Sequence, residues 1–435
     1  MSDIVWAGVA TAGVTAAYAL VSRRLASTPV SGAIVFAGAG VLLGPAGLDL
    51  MSLDADGELL LTFLETALTL VLFTDAMSVR PTDLRTGAGL PGRLLGAGLP
   101  LSIALGWLLA WPLLPGLTGW ELALVGAVLA PTDAALGSSA IANPRVPALV
   151  RQGLNVESGL NDGMVLPFFV LFLAAIPGTG YAEQGETGTF WRALLLSTAL
   201  GLIVGAGGGR LLRSSRGRGW VTREWRQIHV LAVAAASYGL AVATDGSGFI
   251  AAWVAGFAFA SALRGGGEPP PEGDRTADLA EHLGSLLALL GLLVFGAVVL
   301  GPALQHLSWR ITAYAVLSLT VVRMVPVAVS LARSGLKPRT VAYIGWFGPR
   351  GLASIVLGLL IVEQRVPGVE LIGRVVAITV GLSIVVHGAS AAAFSDRYGR
   401  WYERTAARDP NLSESRGTAF VGRRRRIGLT GPPGE

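Results

Sequence analysis

The sequence predicts an all-α polytopic membrane protein with about thirteen transmembrane helices. Three observations carry this. Only 14% of the 435 residues are charged, against about 25% in a soluble domain. Mean hydropathy is +0.61 with 52% hydrophobic residues, and the apolar runs can supply a dozen or more spans, roughly 240–260 residues at about 20 each. The basic residues, finally, recur in every second loop.

Apolar runs read against Gly, Pro and charge breakers place the spans at 4–21, 29–48, 58–77, 92–115, 120–141, 147–176, 190–212, 227–244, 247–263, 279–301, 309–333, 339–362 and 370–394. The first run has no basic segment before it, so it reads as a membrane helix rather than a cleavable signal. Asp245, Gly246 and Gly248 divide spans eight and nine. Taken in order, span 1 is followed by Arg23 and Arg24, span 3 by Arg80, Arg85 and Arg93, and span 5 by Arg145 and Arg151. Span 7 is followed by six arginines between Arg210 and Arg226, span 9 by Arg264 and Arg275, and span 11 by Arg333, Lys337 and Arg339. The even loops carry Asp54, Asp56 and Glu58, then Glu183 and Glu186, then Asp245; Arg192, Arg310, Arg365 and Arg374 are single exceptions. Cytoplasmic loops are the basic ones, so the N-terminus is expected outside and the C-terminus in the cytoplasm.

The net charge of +5 rests on 33 basic residues, of which Lys337 alone is lysine. Most arginines lie in short loops and the tail, so nucleic-acid binding is not expected. There is no cysteine, which removes disulfides, thiol chemistry and Cys-based metal sites. No P-loop and no GxGxxG in a soluble βαβ setting is present, so the chain has no ATP engine and no cofactor is expected. The Gly- and Pro-rich stretch 265–273 reads as a linker. The membrane domain is expected over 1–394 and a polar, Arg-rich cytoplasmic tail over 395–435, with four arginines at 423–426. That tail reads as a disordered solubilising segment; the other reading is a basic patch on anionic lipid, at about 1 kcal/mol per Arg.

Ionisable groups inside a bilayer cost several kcal/mol unless paired or hydrated, so each marks a functional candidate. Here they are Glu65, Asp133, Glu157, Asp162, Arg323 and Arg350, with Asp75 and His387 near span ends or isolated. The densest stretch is Asn155 to Gly163 in the sixth span. Glu157 and Asn161 are four apart, as are Ser158 and Asp162, so all four share one helix face. They are oxygen donors, the ligands that hard cations take. A polar helix–helix contact would need only the Asn and Ser; two acids go beyond it.

The fifth span carries Pro131-Thr132-Asp133 in its middle, and the twelfth carries Gly348-Pro349-Arg350-Gly351. Proline removes a backbone donor and disturbs the preceding turn, so both helices are expected to break at membrane depth. Two oppositely directed broken helices, in matching positions of two halves, are the pattern of inverted-repeat secondary transporters. A carboxylate suits a half-helix N-terminus and a guanidinium a C-terminus, which assigns Asp133 and Arg350 to support of the breaks. Arg323, in the eleventh span, is then expected to pair with Glu157, since a buried guanidinium needs a partner. Asp162 remains as the titratable acid.

These residues resemble the NhaP-like sodium/proton antiporters of the monovalent cation:proton antiporter-1 family. The resemblance covers roughly 1–395. It rests on Thr132-Asp133, the run Glu157 to Gly163, Arg323 and Gly348 to Gly351, with weaker support from Ile34 to Pro45 and Leu72 to Asp75. It implies an inverted-repeat antiporter fold, a homodimer in the plasma membrane, and separate core and dimerisation domains. It implies that Thr132, Glu157, Ser158, Asn161 and Asp162 form the cation and proton site, with Na⁺ (or Li⁺) at Asp162, Ser158 and Thr132. Arg323 matches the partner of the glutamate, and Arg350 the arginine beside the broken twelfth helix. The Asn161-Asp162 pair is the form associated with electroneutral exchange. One position departs: Ala134 follows Thr132-Asp133 where the family commonly has proline.

The expected activity is therefore Na⁺/H⁺ exchange by competition for Asp162, not an enzymatic reaction. K⁺/H⁺ exchange on the same fold is the main alternative, because the ligand set does not choose between the two ions; a cation channel is a further one. An intramembrane protease is disfavoured, since His229, His282, His306 and His387 read as span-end or packing residues with no Gly-x-Ser-Gly.

Overall fold

The computed structural model describes residues 2–25, 28–51, 57–79, 89–133, 136, 143–179, 191–265, 276–409 and 411–415. Among the described residues all regular structure is helical: α1 Ser2–Leu25, α2 Gly32–Leu43, α3 Gly57–Ser78, α4 Leu90–Leu113, α5 Gly119–Val128, α6 Ala148–Ala174 and α7 Leu194–Gly217. There follow α8 Arg223–Ala243, α9 Gly248–Arg264, α10 Asp278–Leu304, α11 Trp309–Ser330, α12 Pro338–Trp346, α13 Leu352–Glu363 and α14 Val369–Ala406. Nine helical stretches among the described residues are long and apolar enough to cross a membrane, and α2, α5, α9 and α13 are shorter apolar helices. Their outer faces are apolar: Trp6, Leu20, Leu108, Ile203 and Leu211 are all exposed, as lipid contact requires.

The helices gather in two groups. One contains α4, α5, α6 and α11 to α14; the other contains α1 to α3 and α7 to α10. They meet where α3 and α9 touch α6, α3 touches α13, and α2 and α10 touch α14. Within the second group the tightest pair is α7 on α9. Gly201, Gly205 and Gly209 lie four apart on α7, and a Cβ at Gly205 would run into the backbone of Ala255. Small residues at this spacing let two membrane helices pack backbone to backbone.

The twelfth span is broken, as its proline requires, and the helix of the fifth span ends ahead of Pro131. α5 stops at Val128, because Pro131 has no N–H to give and Ala130, preceding it, is biased out of the helical region. Of the remainder of that span only Leu136 is described, so Ala134 and its neighbours lie outside the described residues. The twelfth span is two helices, α12 and α13, separated by non-helical 347–351. α11 is also interrupted, at Thr320 (φ −110°, ψ −80°), which leaves Val321–Ser330 as a separate short helix carrying Arg323.

The last helix departs from the expected boundary at 394. α14 continues to Ala406 because Ala391, Ser395 and Tyr398 present a buried face at helical spacing. The Tyr398 ring stacks on Tyr343 at 4.2 Å, and Asp396 meets Asn143 at 3.1 Å and Arg145 at 3.6 Å. Average polarity concealed this amphipathic pattern. Leu412 and Glu414 are buried as well; Arg423 to Arg426 lie outside the described residues.

Candidate functional site

The non-helical residues that follow α5 meet the break of the twelfth span. The Asp133 N–H donates to the Pro349 carbonyl at 2.8 Å. Arg350, wholly buried, donates through Nη1 to the carbonyls of Ala130 (2.8 Å) and Pro131 (3.0 Å). Its own N–H donates to Ser383 Oγ on α14 at 2.7 Å. Asp133 Oδ2 accepts from the Leu352 N–H, the first of α13, at 3.3 Å, and Ser354 Oγ donates to the Val128 carbonyl at 2.7 Å. A guanidinium thus sits at the C-terminal end of α5 and a carboxylate at the N-terminal end of α13, each opposite in sign to the dipole end it meets.

This contact leaves no room for a side chain at Gly351, where a Cβ would meet the Asp133 carboxyl group. Gly351→Ala is expected to cost about 1–3 kcal/mol by overpacking and to lower the melting temperature in detergent. An unchanged melting temperature would show that the crossing yields.

α6 lays its polar face against this crossing. Ser158 Oγ donates to the Thr132 carbonyl at 2.8 Å. Asn161 Nδ2 donates to Thr132 Oγ1 at 2.6 Å and to its carbonyl at 3.4 Å. Thr132, Glu157, Ser158, Asn161 and Asp162 are all buried. Asn161 Oδ1 and Asp162 Oδ1 have no hydrogen-bond partner among the described residues. A buried polar atom without a partner costs free energy, so both oxygens have capacity for a cation, and the Asp162 carboxylate also for a proton.

Glu157 is satisfied instead by Arg323. The guanidinium donates to both carboxylate oxygens, at 2.5 and 2.9 Å, with both side chains buried. Gly348 lies against the Arg323 stem, where a Cβ would collide. The ion pair is therefore wedged between α6 and the break of the twelfth span.

Two residues stand closer to the site than their positions in the sequence suggested. Asp75, near the end of α3, faces the same turn of α6: a Cβ at Gly159 would stand 3.5 Å from the Asp75 Cβ. Its signal in the sequence is an acid in an otherwise apolar run. His387 is buried in α14, its Nδ1 3.1 Å from the Ser383 hydroxyl that holds Arg350. Glu65 is not among the gathered residues; it lies on the side of α3 that faces Tyr238 of α8. Asp133 also borders a cavity of about 210 Å³ shared with Tyr18, Ser31 and Ser285 of the other helix group, so the crossing opens toward the seam between the groups.

A family model described as sodium/hydrogen exchanger, transmembrane, matches residues 10–396. The K⁺/H⁺ antiporter NhaP of Alkalimonas amylolytica is 25% identical over 380 residues, covering 85% of this chain and 62% of its own. The Na⁺/H⁺ antiporter 2 of Zygosaccharomyces rouxii is 32% identical over 168 residues, 36% of this chain and 20% of its own. The chain thus spans less than two thirds of these curated relatives. Among solved structures, the sodium/proton antiporter MjNhaP1 of Methanocaldococcus jannaschii superposes with a TM-score of 0.75 at 16% identity, covering 92% of this chain and 99% of its own, a likeness of fold.

Proposed function

The chain belongs to the sodium/hydrogen exchanger family, and on that premise we propose that it exchanges Na⁺ (or Li⁺) for H⁺ across the membrane as a secondary active antiporter. The family is one of transporters, not enzymes. The observation that carries the reading is Asp162: a buried carboxylate, one oxygen without a hydrogen-bond partner among the described residues, one helical position from an Asn that is tied to the crossing.

The physics is competition for one carboxylate. Protonated Asp162 is neutral, and so is Asp162 with a monovalent cation. Bare Asp162 is charged, and moving it through a low-dielectric barrier costs several kcal/mol. The site therefore has to carry one ion or the other before it can reorient. Ser158 and Asn161 hold Thr132 in place, and Thr132, Ser158 and Asp162 supply oxygens to the cation. Glu157 is neutralised by Arg323, so it adds no second charge to be compensated. One Na⁺ against one H⁺ is electroneutral. The group of α4 to α6 with α11 to α14 is the moving core, and the other group is the static scaffold of a homodimer. We place the protein in the plasma membrane with the N-terminus outside and the Arg-rich loops in the cytoplasm.

The test is dequenching of a pH-sensitive dye in proteoliposomes on adding NaCl, LiCl and then KCl. A Na⁺ and Li⁺ response is expected. A K⁺-only response keeps the mechanism and changes the substrate, a reading favoured by the K⁺/H⁺ name of the Alkalimonas relative. Ion flow without countertransported protons would instead mean a channel.

A further inference from the structure

Both half-helices that run into the crossing begin at a buried carboxylate, but only one brings its own. α5 opens with a reciprocal cap. Glu121 Oε2 accepts from the Thr118 N–H at 2.7 Å, and Thr118 Oγ1 accepts from the Glu121 N–H at 3.4 Å. The other oxygen, Glu121 Oε1, accepts from the Gly368 N–H at 2.6 Å. α12 opens at Lys337 and Pro338 with no capping side chain of its own and no acid in its first turn. Its cap arrives from the far end of the chain. Glu414 Oε1 accepts from the Lys337 N–H at 2.9 Å and from the Thr340 hydroxyl at 2.6 Å.

Glu414 is wholly buried, and Leu412 beside it is 2% exposed. The Tyr398 hydroxyl donates to Thr340 Oγ1 at 3.1 Å, and Tyr402 and Ser415 lie 3.0 Å apart, oxygen to oxygen. The segment 411–415 is therefore bonded to α14 and the start of α12, and residues 413–415 also pack against α6.

We propose that Glu414 is a positioning residue for the exchange site, acting through α12. The proposal rests on the exchange reading above. α12 has nine residues, about 13 Å of helix, too short and stiff to absorb a shift along its axis. Its far end enters 347–351, where Gly348 lies against Arg323 and Pro349 accepts from Asp133. Moving α12 thus moves the partner of Glu157 at one contact and the Thr132 segment at the other. The carboxylate also suits the positive end of the α12 dipole.

The test compares Glu414→Ala, Glu414→Gln and Thr340→Val in the full-length chain. Each is titrated with Na⁺ in proteoliposomes and followed by hydrogen–deuterium exchange of peptides covering 338–351. Glu414→Ala is expected to raise the half-saturating cation concentration about fivefold, the scale of losing one helix cap, with the maximal rate little changed. Loss of protection should extend through 347–351. Glu414→Gln keeps an acceptor oxygen and should stay close to wild type. Thr340→Val removes one of the two bonds to Glu414, together with the acceptor of the Tyr398 hydroxyl, and gives an intermediate shift, which serves should the alanine variant fail to fold. A lower melting temperature with wild-type cation dependence, and protection lost only at 337–341, would reduce Glu414 to a structural cap and overturn the proposal. Should the wild-type chain respond to no cation, the exchange reading fails on its own, and the reach of the protection loss still decides the coupling.

Discussion

Asp162→Asn is expected to reduce cation-dependent proton flux to the level of empty liposomes while leaving the protein folded. Asparagine has the same shape and cannot ionise at neutral pH. Asp162 Oδ1 makes no protein hydrogen bond among the described residues, so the substitution breaks none there. It also removes the cost of keeping a carboxylate in a dry environment. The melting temperature should therefore hold or rise, and transport should vanish, because the site can no longer alternate between proton and cation. A loss of flux accompanied by unfolding would say nothing special about this carboxylate. Sodium-dependent proton flux retained in the folded variant would sink the competition mechanism.

The Glu157–Arg323 pair is expected to show the largest effect on stability. Removing one member of a buried pair leaves the other charge uncompensated, at a cost of about 3–5 kcal/mol. Both side chains are buried and joined by two hydrogen bonds, so Glu157→Gln and Arg323→Gln should each lower the melting temperature sharply. The double replacement leaves no buried charge and should recover part of the loss, with a coupling of about 0.5–3 kcal/mol. Thermal unfolding of the four proteins in one detergent gives the cycle. Purely additive losses would mean that the two groups act independently, whatever their separation.

Much of this architecture was legible in one dimension. The apolar runs between Gly, Pro and charge breakers marked the membrane helices, because the cost of burying charge acts on every segment separately. The two prolines marked the breaks, because a missing N–H is a property of the residue itself. The polar face of the sixth span followed from a spacing of four, because helical periodicity links residues within one turn. The pairing of Glu157 with Arg323 was reached by charge bookkeeping, and the structure brings those two side chains together.

What tertiary structure alone decided lies at long separations along the chain. No periodicity connects Asp75 with Gly159, Glu121 with Gly368, or Glu414 with Lys337. Such contacts depend on how helices cross and how closely small residues let them approach. The helical run past 394 likewise depended on Tyr343 and Arg145, which are distant in sequence and present the surface that Tyr398 and Asp396 cover. The sequence by itself determined which segments are buried in the membrane, where they break and which charges must find partners, since each of those costs is local. Packing decided which partners they find, since a buried charge or an uncapped helix end accepts whatever complementary group the fold carries within hydrogen-bond reach.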